Sequence, residues 1–267
     1  MRTPLRTLLN TPDIELWPAW LLRARASGDA RTLARATHVL RRKRDGRYLA
    51  AVLPEGLMPL QPRLSREPGL DDALDLLDDP PRAHSRAGTL PLHRLAERLD
   101  ALGLEAGAYA DDCGLPLVPE PAQLALAGFD RYRRPLWLRA GAARAWTRMH
   151  LAAARAGVAL DAISGYRSHD YQLGIFERKR ARGLALAEIL KVNAAPGFSE
   201  HHSGDALDIG APGEPPAEES FEQTAAFAWL QRHAAGFGFA MSYPRGNPHG
   251  IVYEPWHWRY RRPAAGA

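Results

Sequence analysis

The chain has 267 residues, of which 46% are hydrophobic and 24% are charged, and its net charge is +5. This composition excludes a disordered chain, because it supplies ample apolar side chains for a core, and it also lacks the glycine period of collagen. A single cysteine excludes an internal disulfide framework and a cysteine-rich zinc cluster. A metal site would therefore use His, Asp and Glu.

Basic residues outnumber acidic residues by 35 to 30, and only three of the basic residues are lysine. The predominance of arginine over lysine is typical of codon bias in a GC-rich genome. The modest net charge is spread along the chain, so we expect no nucleic-acid partner. Affinity for an acidic cell-wall polymer is the alternative interpretation. The one dense cluster, Arg41–Arg44, is expected at a solvated helix end.

No stretch of the sequence approaches the roughly 20 apolar residues that a membrane-spanning helix requires. The first residues are positively charged, but Asn10, Asp13 and Glu15 interrupt the apolar run that a secretory signal needs. We therefore expect a cytoplasmic location, with the periplasm or release by phage lysis as alternatives. The sequence does not indicate an oligomeric state.

Residues 1–105 are predicted to form a mostly helical region of unknown role, because apolar residues recur there at helical spacing and no chemical motif is present. A short apolar run that ends at a Pro-Glu-Gly turn is the exception and predicts a strand. In chain order, two helices are predicted within 14–44, a strand over 48–53, and helices over 71–79 and 90–102.

Residues 106–267 are predicted to form a catalytic domain of the α+β class, because helices and strands alternate without a strict βαβ rhythm. Helices are predicted over 136–156, 170–182, 184–194 and 221–235, and strands over 159–163, 206–209, 237–242 and 251–253.

Candidate metal ligands lie in two short segments of this second region. One segment contains His201, His202 and Asp208, and the other contains His257 with Glu254 three residues before it. A hydrolytic zinc site needs three protein ligands and one open position, which two histidines and one aspartate satisfy. A nearby carboxylate must then accept a proton from the attacking water, and Glu254 is placed to be that base.

The spacing of Glu254 and His257 requires a bend in the chain. An extended strand would place these residues on opposite faces, and Pro255 disfavours a helix at Glu254. We therefore expect this segment to bend at a strand end. On the other side of the site, Gly204 is expected to let the chain turn between His201 and Asp208.

Three motifs lie in order along the second region. They are Ser-Gly-Tyr-Arg-Ser at 164–168 with Gln172 soon after, Ser-x-His-x-x-Gly-x-Ala-x-Asp at 199–208, and Glu-x-x-His at 254–257. In this order they resemble the motifs of the zinc D-alanyl-D-alanine carboxypeptidases of the VanY type (VanY/LdcB-like peptidoglycan peptidases). The resemblance runs from about residue 115 to residue 262.

The resemblance implies a hedgehog/D-Ala-D-Ala peptidase-like fold, in which a small antiparallel sheet with flanking helices holds a single zinc ion. The motif register selects His201 over His202 as a ligand, and Arg167 would stabilise a developing oxyanion or hold the substrate. The remaining implied roles are zinc binding by His201, Asp208 and His257, base catalysis by Glu254, contact with the substrate's terminal carboxylate by Ser199 and Gln172, and shaping of the pocket by Ser168 and Tyr166.

The implied function is removal of the terminal D-amino acid, of the D-Ala-D-Ala type, from a peptidoglycan stem peptide or muropeptide. An L,D-carboxypeptidase and a lysin-like endopeptidase are alternatives that would use the same zinc ligands. A non-catalytic protein that binds wall fragments is a third alternative, against which Glu254 argues because a binder needs no base. Residues 1–105 are a candidate docking module.

Overall fold

The computed structural model of this chain describes residues 6–79 and 88–261. The backbone contacts divide the chain into two units. The first contains Met1–His93 and Pro121–Leu126, and the second contains Arg94–Glu120 and Ala127–Ala267. The boundary predicted between residues 105 and 106 therefore lies inside the second unit.

The first unit is built mainly from strands, so the prediction of a mostly helical region is wrong. An antiparallel sheet has the strand order β5-β4-β3-β2-β1-β6 in this unit. The predicted strand over 48–53 is confirmed. The elements are β1 (Thr7–Asn10), β2 (Ile14–Pro18), α1 (Ser27–Arg35), β3 (His38–Arg42), β4 (Tyr48–Leu53), β5 (Gly56–Pro59), α2 (Leu70–Asp78) and β6 (Gln123–Phe129), of which the last begins in this unit and continues into the second.

The spacing of apolar residues over 14–44 misleads because it spans several short elements. In β2, Ile14 and Leu16 are fully buried on one face, which is the two-residue period of a strand. The basic cluster also lies at the end of a strand and in the turn that follows it, and not at a helix end. Arg41 and Arg42 end β3, where their guanidinium groups pair with Glu15 at 2.8 Å and Glu67 at 2.7 Å.

The second unit contains a four-stranded antiparallel sheet of order β10-β11-β9-β8 with helices around it, which confirms the α+β class and the small antiparallel sheet. Its helices and strands, apart from the end of β6, are α3 (Leu95–Asp100), α4 (Ala106–Cys113), β7 (Pro135–Leu138), α5 (Ala140–Arg155), β8 (Asp161–Ser164), α6 (His169–Ala181), α7 (Leu186–Leu190), β9 (Ala206–Gly210), α8 (Ala225–His233), β10 (Phe239–Met241) and β11 (His257–Tyr260).

A buried apolar cluster fixes the loop that precedes the candidate ligand His201. Phe198 is fully buried against Tyr109, with ring centroids 4.9 Å apart, and the Tyr109 hydroxyl accepts a hydrogen bond from the Ala195 amide. Gly197 has a φ of +88°, and a Cβ there would lie 2.5 Å from Leu95. Only glycine fits this turn without displacing the core.

The strand predicted over 251–253 is wrong, because this segment is irregular and its amides bond to loops. The Val252 amide donates to the Lys191 carbonyl at 2.8 Å, and the Glu254 amide donates to the Tyr243 carbonyl at 3.0 Å. These bonds tie the chain down immediately before β11. None of the helices in the part of the chain described here is long and apolar enough to cross a membrane.

Candidate active site

Two of the predicted metal ligands come from neighbouring strands. β9 and β11 are antiparallel, and their register places Asp208 directly opposite His257. Side chains of directly opposed residues stand close together on one face of a sheet. Here Nδ1 of His257 lies 3.0 Å from Oδ1 of Asp208. The expected bend is present, because the His257 amide donates to the Glu254 carbonyl at 3.2 Å in a turn that leads into β11.

His201 reaches the same point from a short 3-10 helix, Glu200–Ser203, that ends at Gly204. Gly204 has a φ of +70°, so the chain turns there into β9 as the sequence predicts. Nε2 of His201 lies 3.3 Å from Oδ1 of Asp208. Nδ1 of His201 lies 2.7 Å from the Gly165 carbonyl, which accepts its hydrogen. Nε2 is therefore the nitrogen that remains for a metal ion.

The structure brings the three predicted ligands together at one buried point. Their ligand atoms, one each from His201, Asp208 and His257, all lie within 4.8 Å of one another. The imidazoles are 2% and 3% exposed and the aspartate is 7% exposed. Two imidazole nitrogens and one carboxylate oxygen are the donor set of a hydrolytic zinc site. The residues present could therefore hold one zinc ion.

His202 does not belong to this group, which agrees with the motif register. Its Nδ1 lies 2.7 Å from the Arg167 carbonyl, and its Nε2 accepts a hydrogen bond from the Gly197 amide at 3.1 Å. Both ring nitrogens are therefore used. Burial holds the pKa of His202 well below its usual range, which keeps the ring neutral, as these two bonds require. His202 instead fixes the backbone that carries Arg167.

Glu200 holds His257 from the side away from Asp208, a role that the sequence reasoning missed. Its Oε2 lies 2.9 Å from Nε2 of His257, and its Oε1 accepts from Arg259 at 2.9 Å. Burial opposes the charge of Glu200, but the hydrogen bond from His257 and the charges of His257 and Arg259 outweigh it and lower the pKa of Glu200 to about 2. This contact orients Nδ1 of His257 towards the metal position.

Glu254 lies at the edge of the same site, with one carboxylate oxygen 4.0 Å from Nδ1 of His257. The side chain is buried, and burial raises the pKa of Glu254 to about 7. The charge of His257 lowers this pKa and that of Asp208 raises it. A carboxyl group that titrates near neutral pH can both accept and return a proton, which is the requirement for a general base.

A cavity of about 310 Å³ opens onto these groups. Arg167, Gln172 and Ser199 line it, as do all three candidate ligands and Glu254. Gln172 uses one hydrogen of its Nε2 on the Ala194 carbonyl at 2.8 Å, so a second hydrogen remains for a ligand. The cavity thus combines a metal position, a candidate base, a cation and polar donors.

Comparison with known proteins agrees with this geometry. The VanY family model, described as D-alanyl-D-alanine carboxypeptidase, matches residues 135–263. The bifunctional D-Ala-D-Ala dipeptidase and D-Ala-D-Ala carboxypeptidase VanXYC of Enterococcus gallinarum is 32% identical over 149 residues, covering 53% of this chain and 75% of that protein. The chain belongs to the VanY family.

The chain is also similar to a further curated protein and to a solved structure. The putative carboxypeptidase YodJ of Bacillus subtilis (strain 168) is 37% identical over 155 residues, covering 55% of this chain and 56% of that protein, so the match spans about half of its length. A solved structure of a mutant vancomycin-resistance D,D-pentapeptidase VanY, from the VanB-type cassette and in complex with Zn(II), is 29% identical. The match covers 47% of this chain and 73% of the chain in that structure, with a TM-score of 0.39.

Two residues that were predicted to shape the pocket lie elsewhere in this VanY-family chain. The Ser168 hydroxyl accepts the Tyr171 amide at 3.1 Å and so caps α6 at its N-terminus. The Tyr166 hydroxyl donates to the buried carboxylate of Glu120. Neither side chain is among the described residues that line the cavity. Their hydrogen bonds give both a structural role, because they hold the segment on either side of Arg167.

The backbone of Arg167 is clamped by two elements of the site. Its amide donates to the His201 carbonyl at 3.3 Å, and its carbonyl accepts from Nδ1 of His202. Its guanidinium lines the cavity, and its Nε is buried without a hydrogen-bond partner among the described residues. A positive charge in this cavity, on a backbone held in this way, suits the negative charge that develops in acyl transfer, the role that the family resemblance implies.

Asp205 precedes β9, and burial raises the pKa of its carboxyl group from 3.8 to about 6, although Arg139 and Arg259 lower it. Below about pH 3 this group is protonated in both the folded and the unfolded chain, and above about pH 6 its buried charge destabilises the fold. We therefore expect Asp205→Asn to raise the free energy of unfolding by about 3 kcal/mol at pH 8 and to leave it nearly unchanged at about pH 3. Chemical denaturation at both pH values measures this, and an equal effect at both would contradict it.

Proposed function

We propose that this chain is a zinc-dependent carboxypeptidase that removes the terminal D-amino acid from peptidoglycan stem peptides. The observation that carries the proposal is the position of Glu254, a buried carboxylate whose pKa is raised to about 7, beside three converging ligand side chains. When bound by His201, Asp208 and His257, zinc would supply a Lewis acid that polarises a carbonyl group and acidifies water.

The chain's own groups account for the proton transfers of such a hydrolysis. Glu254 accepts a proton from the attacking water at its carboxylate and then donates it to the leaving amine. The Arg167 guanidinium, fixed by its backbone contacts, faces the oxyanion that forms at the attacked carbonyl. Burial of Glu254 keeps both of its protonation states accessible near neutral pH, which this double role requires.

The size of the cavity favours removal of a terminal residue over cleavage within a long peptide. A volume of about 310 Å³ lies at the small end of the range for small-molecule sites and suits a short chain end. Ser199 and the second Nε2 hydrogen of Gln172 are the polar groups that we assign to a terminal carboxylate. An endopeptidase would need a longer groove on both sides of the ligands.

The test is mass spectrometry of defined stem peptides incubated with the zinc-loaded chain. We expect a pentapeptide ending in D-Ala-D-Ala to lose one alanine and a pentapeptide ending in D-Ala-L-Ala to remain intact. A stem tetrapeptide is tested alongside them. Cleavage of this tetrapeptide alone would instead assign an L,D-carboxypeptidase, and cleavage at an internal bond would assign an endopeptidase. If the zinc-loaded chain cleaves none of the peptides, the remaining function is binding, and the proposal is overturned.

A further inference from the structure

We propose that Lys179 determines the substrate specificity of this site by binding a side-chain carboxylate of the residue that precedes the two terminal alanines of the peptide. This inference rests on the proposed function and names the class of peptide that the site prefers. Lys179 lies outside the three family motifs.

The first argument is the position of Lys179 on α6. Gln172 and Lys179 are seven residues apart, which is about two helical turns, so they share one face of the helix. Both line the cavity that contains Arg167 and Glu254. Side chains on a helix tilt towards its N-terminus, so the long stem of Lys179 runs back along this face in the direction of Gln172.

The second argument is the charge that Lys179 adds to the cavity. Burial lowers the pKa of Lys179 most, and the charges of Arg182 and Arg167 lower it further, whereas the charge of Glu254 raises it. The ammonium is therefore close enough to Arg167 and Glu254 to interact with both. The side chain is half-buried. Within residues 6–79 and 88–261, neither Lys179 nor Arg167 forms an ion pair with a carboxylate.

Lys179 has no anionic partner among the described residues, whereas another cation beside the same helix has one. Arg98 is buried against α6 and pairs with Asp170 at 2.6 Å. Charge that leaves water is costly unless an opposite charge compensates it. Lys179 and Arg167 are therefore two cations in one cavity, and an anionic ligand would compensate their charge.

The third argument is a match between these cations and the charges of a substrate. The developing oxyanion or the terminal carboxylate of a peptide accounts for Arg167. A second carboxylate, carried by the side chain of the residue that precedes the two terminal alanines, accounts for Lys179. An ammonium on a flexible stem suits this task, because its three donors rotate freely and tolerate the varied position of a side-chain carboxylate.

The test compares two peptides that end in D-Ala-D-Ala and differ only in the residue before these two alanines, which carries either a side-chain carboxylate or the corresponding carboxamide. For Lys179→Met we expect the KM of the carboxylate peptide to rise about tenfold, with kcat within about twofold of the wild type. The carboxamide peptide should show no change. Lys179→Arg should recover most of the affinity, and Lys191→Met, at an exposed lysine after α7, is the matched control.

Binding of both peptides to a Glu254→Gln variant, measured by calorimetry, separates this inference from the proposed function. A preference for the carboxylate peptide that Lys179→Met abolishes would support the inference even where no hydrolysis occurs. Three results would overturn it. They are equal binding of the two peptides when Lys179 is present, an equal loss of affinity for both peptides in Lys179→Met, and no binding of either peptide. An equal loss would assign Lys179 to the terminal carboxylate.

Discussion

Replacement of Glu254 by glutamine is expected to lower kcat for a peptide ending in D-Ala-D-Ala by about 10²–10⁴-fold, the usual contribution of a general base. The amide has the shape of the carboxyl group but cannot accept a proton from water. Glu254 is not among the three residues that converge on the metal position, so zinc content should stay at one ion per chain. Steady-state kinetics and elemental analysis of the same preparation measure both quantities.

The control for this variant is Glu177→Gln, which removes a carboxylate from the exposed side of α6. It should retain the kcat and the zinc content of the wild type. Thermal unfolding of Glu254→Gln should occur at or above the wild-type temperature, because a buried carboxyl with a raised pKa destabilises the fold when it ionises. Undiminished turnover by Glu254→Gln would show that another group is the base and that the proposed chemistry is wrong.

Loss of the metal is the second large effect that we expect, and His201→Ala should cause it. The variant leaves two of the three converging ligands, which cannot complete a hydrolytic zinc site. Competition with a chromophoric chelator measures the zinc affinity. The affinity should fall by far more than the roughly 10–100-fold that is usual when the mutated residue contacts a metal ligand and not the metal itself. Hydrolysis should fall with the metal content and return in part when zinc is added in excess.

Two neighbours of His201 provide graded comparisons. Glu200→Gln weakens the contact that orients His257, so zinc affinity should fall by about 10–100-fold and not vanish. His202→Gln should keep the metal, because both ring nitrogens of His202 bond to the backbone and not to the metal position. If His202→Gln lost zinc and His201→Ala retained it, the assignment of the ligands would be reversed.

The errors in the predicted fold have a common cause in the first unit. The helical spacing over 14–44 depends on four leucines and one tryptophan that belong to four different elements, which are Leu16, Trp20, Leu21, Leu33 and Leu40. Each strand there has only four to six residues, so few side chains display the two-residue alternation before a turn interrupts it. Strand pairing joins residues such as Leu8 and Leu124, which are far apart in the sequence and leave no local signal.

In the second unit, local patterns were more informative because two of its helices are long, α5 with 16 residues and α6 with 13. In α5, apolar residues at helical spacing include Ala142, Trp146 and Met149, and these side chains are buried. The predicted start at residue 136 was too early, since Pro135–Leu138 is a strand. Four residues at the helix end are too few for periodicity to distinguish the two states.

The sequence by itself determined the donor set of the site and the order of its motifs. With one cysteine, His and carboxylate side chains were the available ligands, and the family motifs separated His201 from His202. The chain also required a turn at Gly204 and a bend before His257, and both are present. These features are readable because each depends on residues within ten positions of one another.

Only the tertiary structure decided how these groups act together. The pairing of β9 with β11 sets Asp208 against His257, and the contact between Glu200 and His257 selects the nitrogen that faces the metal position. Burial shifts the pKa of Glu254 towards neutrality, and the face of α6 directs Lys179 into the cavity. The physical reason is that burial, register and electrostatic partners arise between distant segments, whereas spacing reports only what lies within one segment.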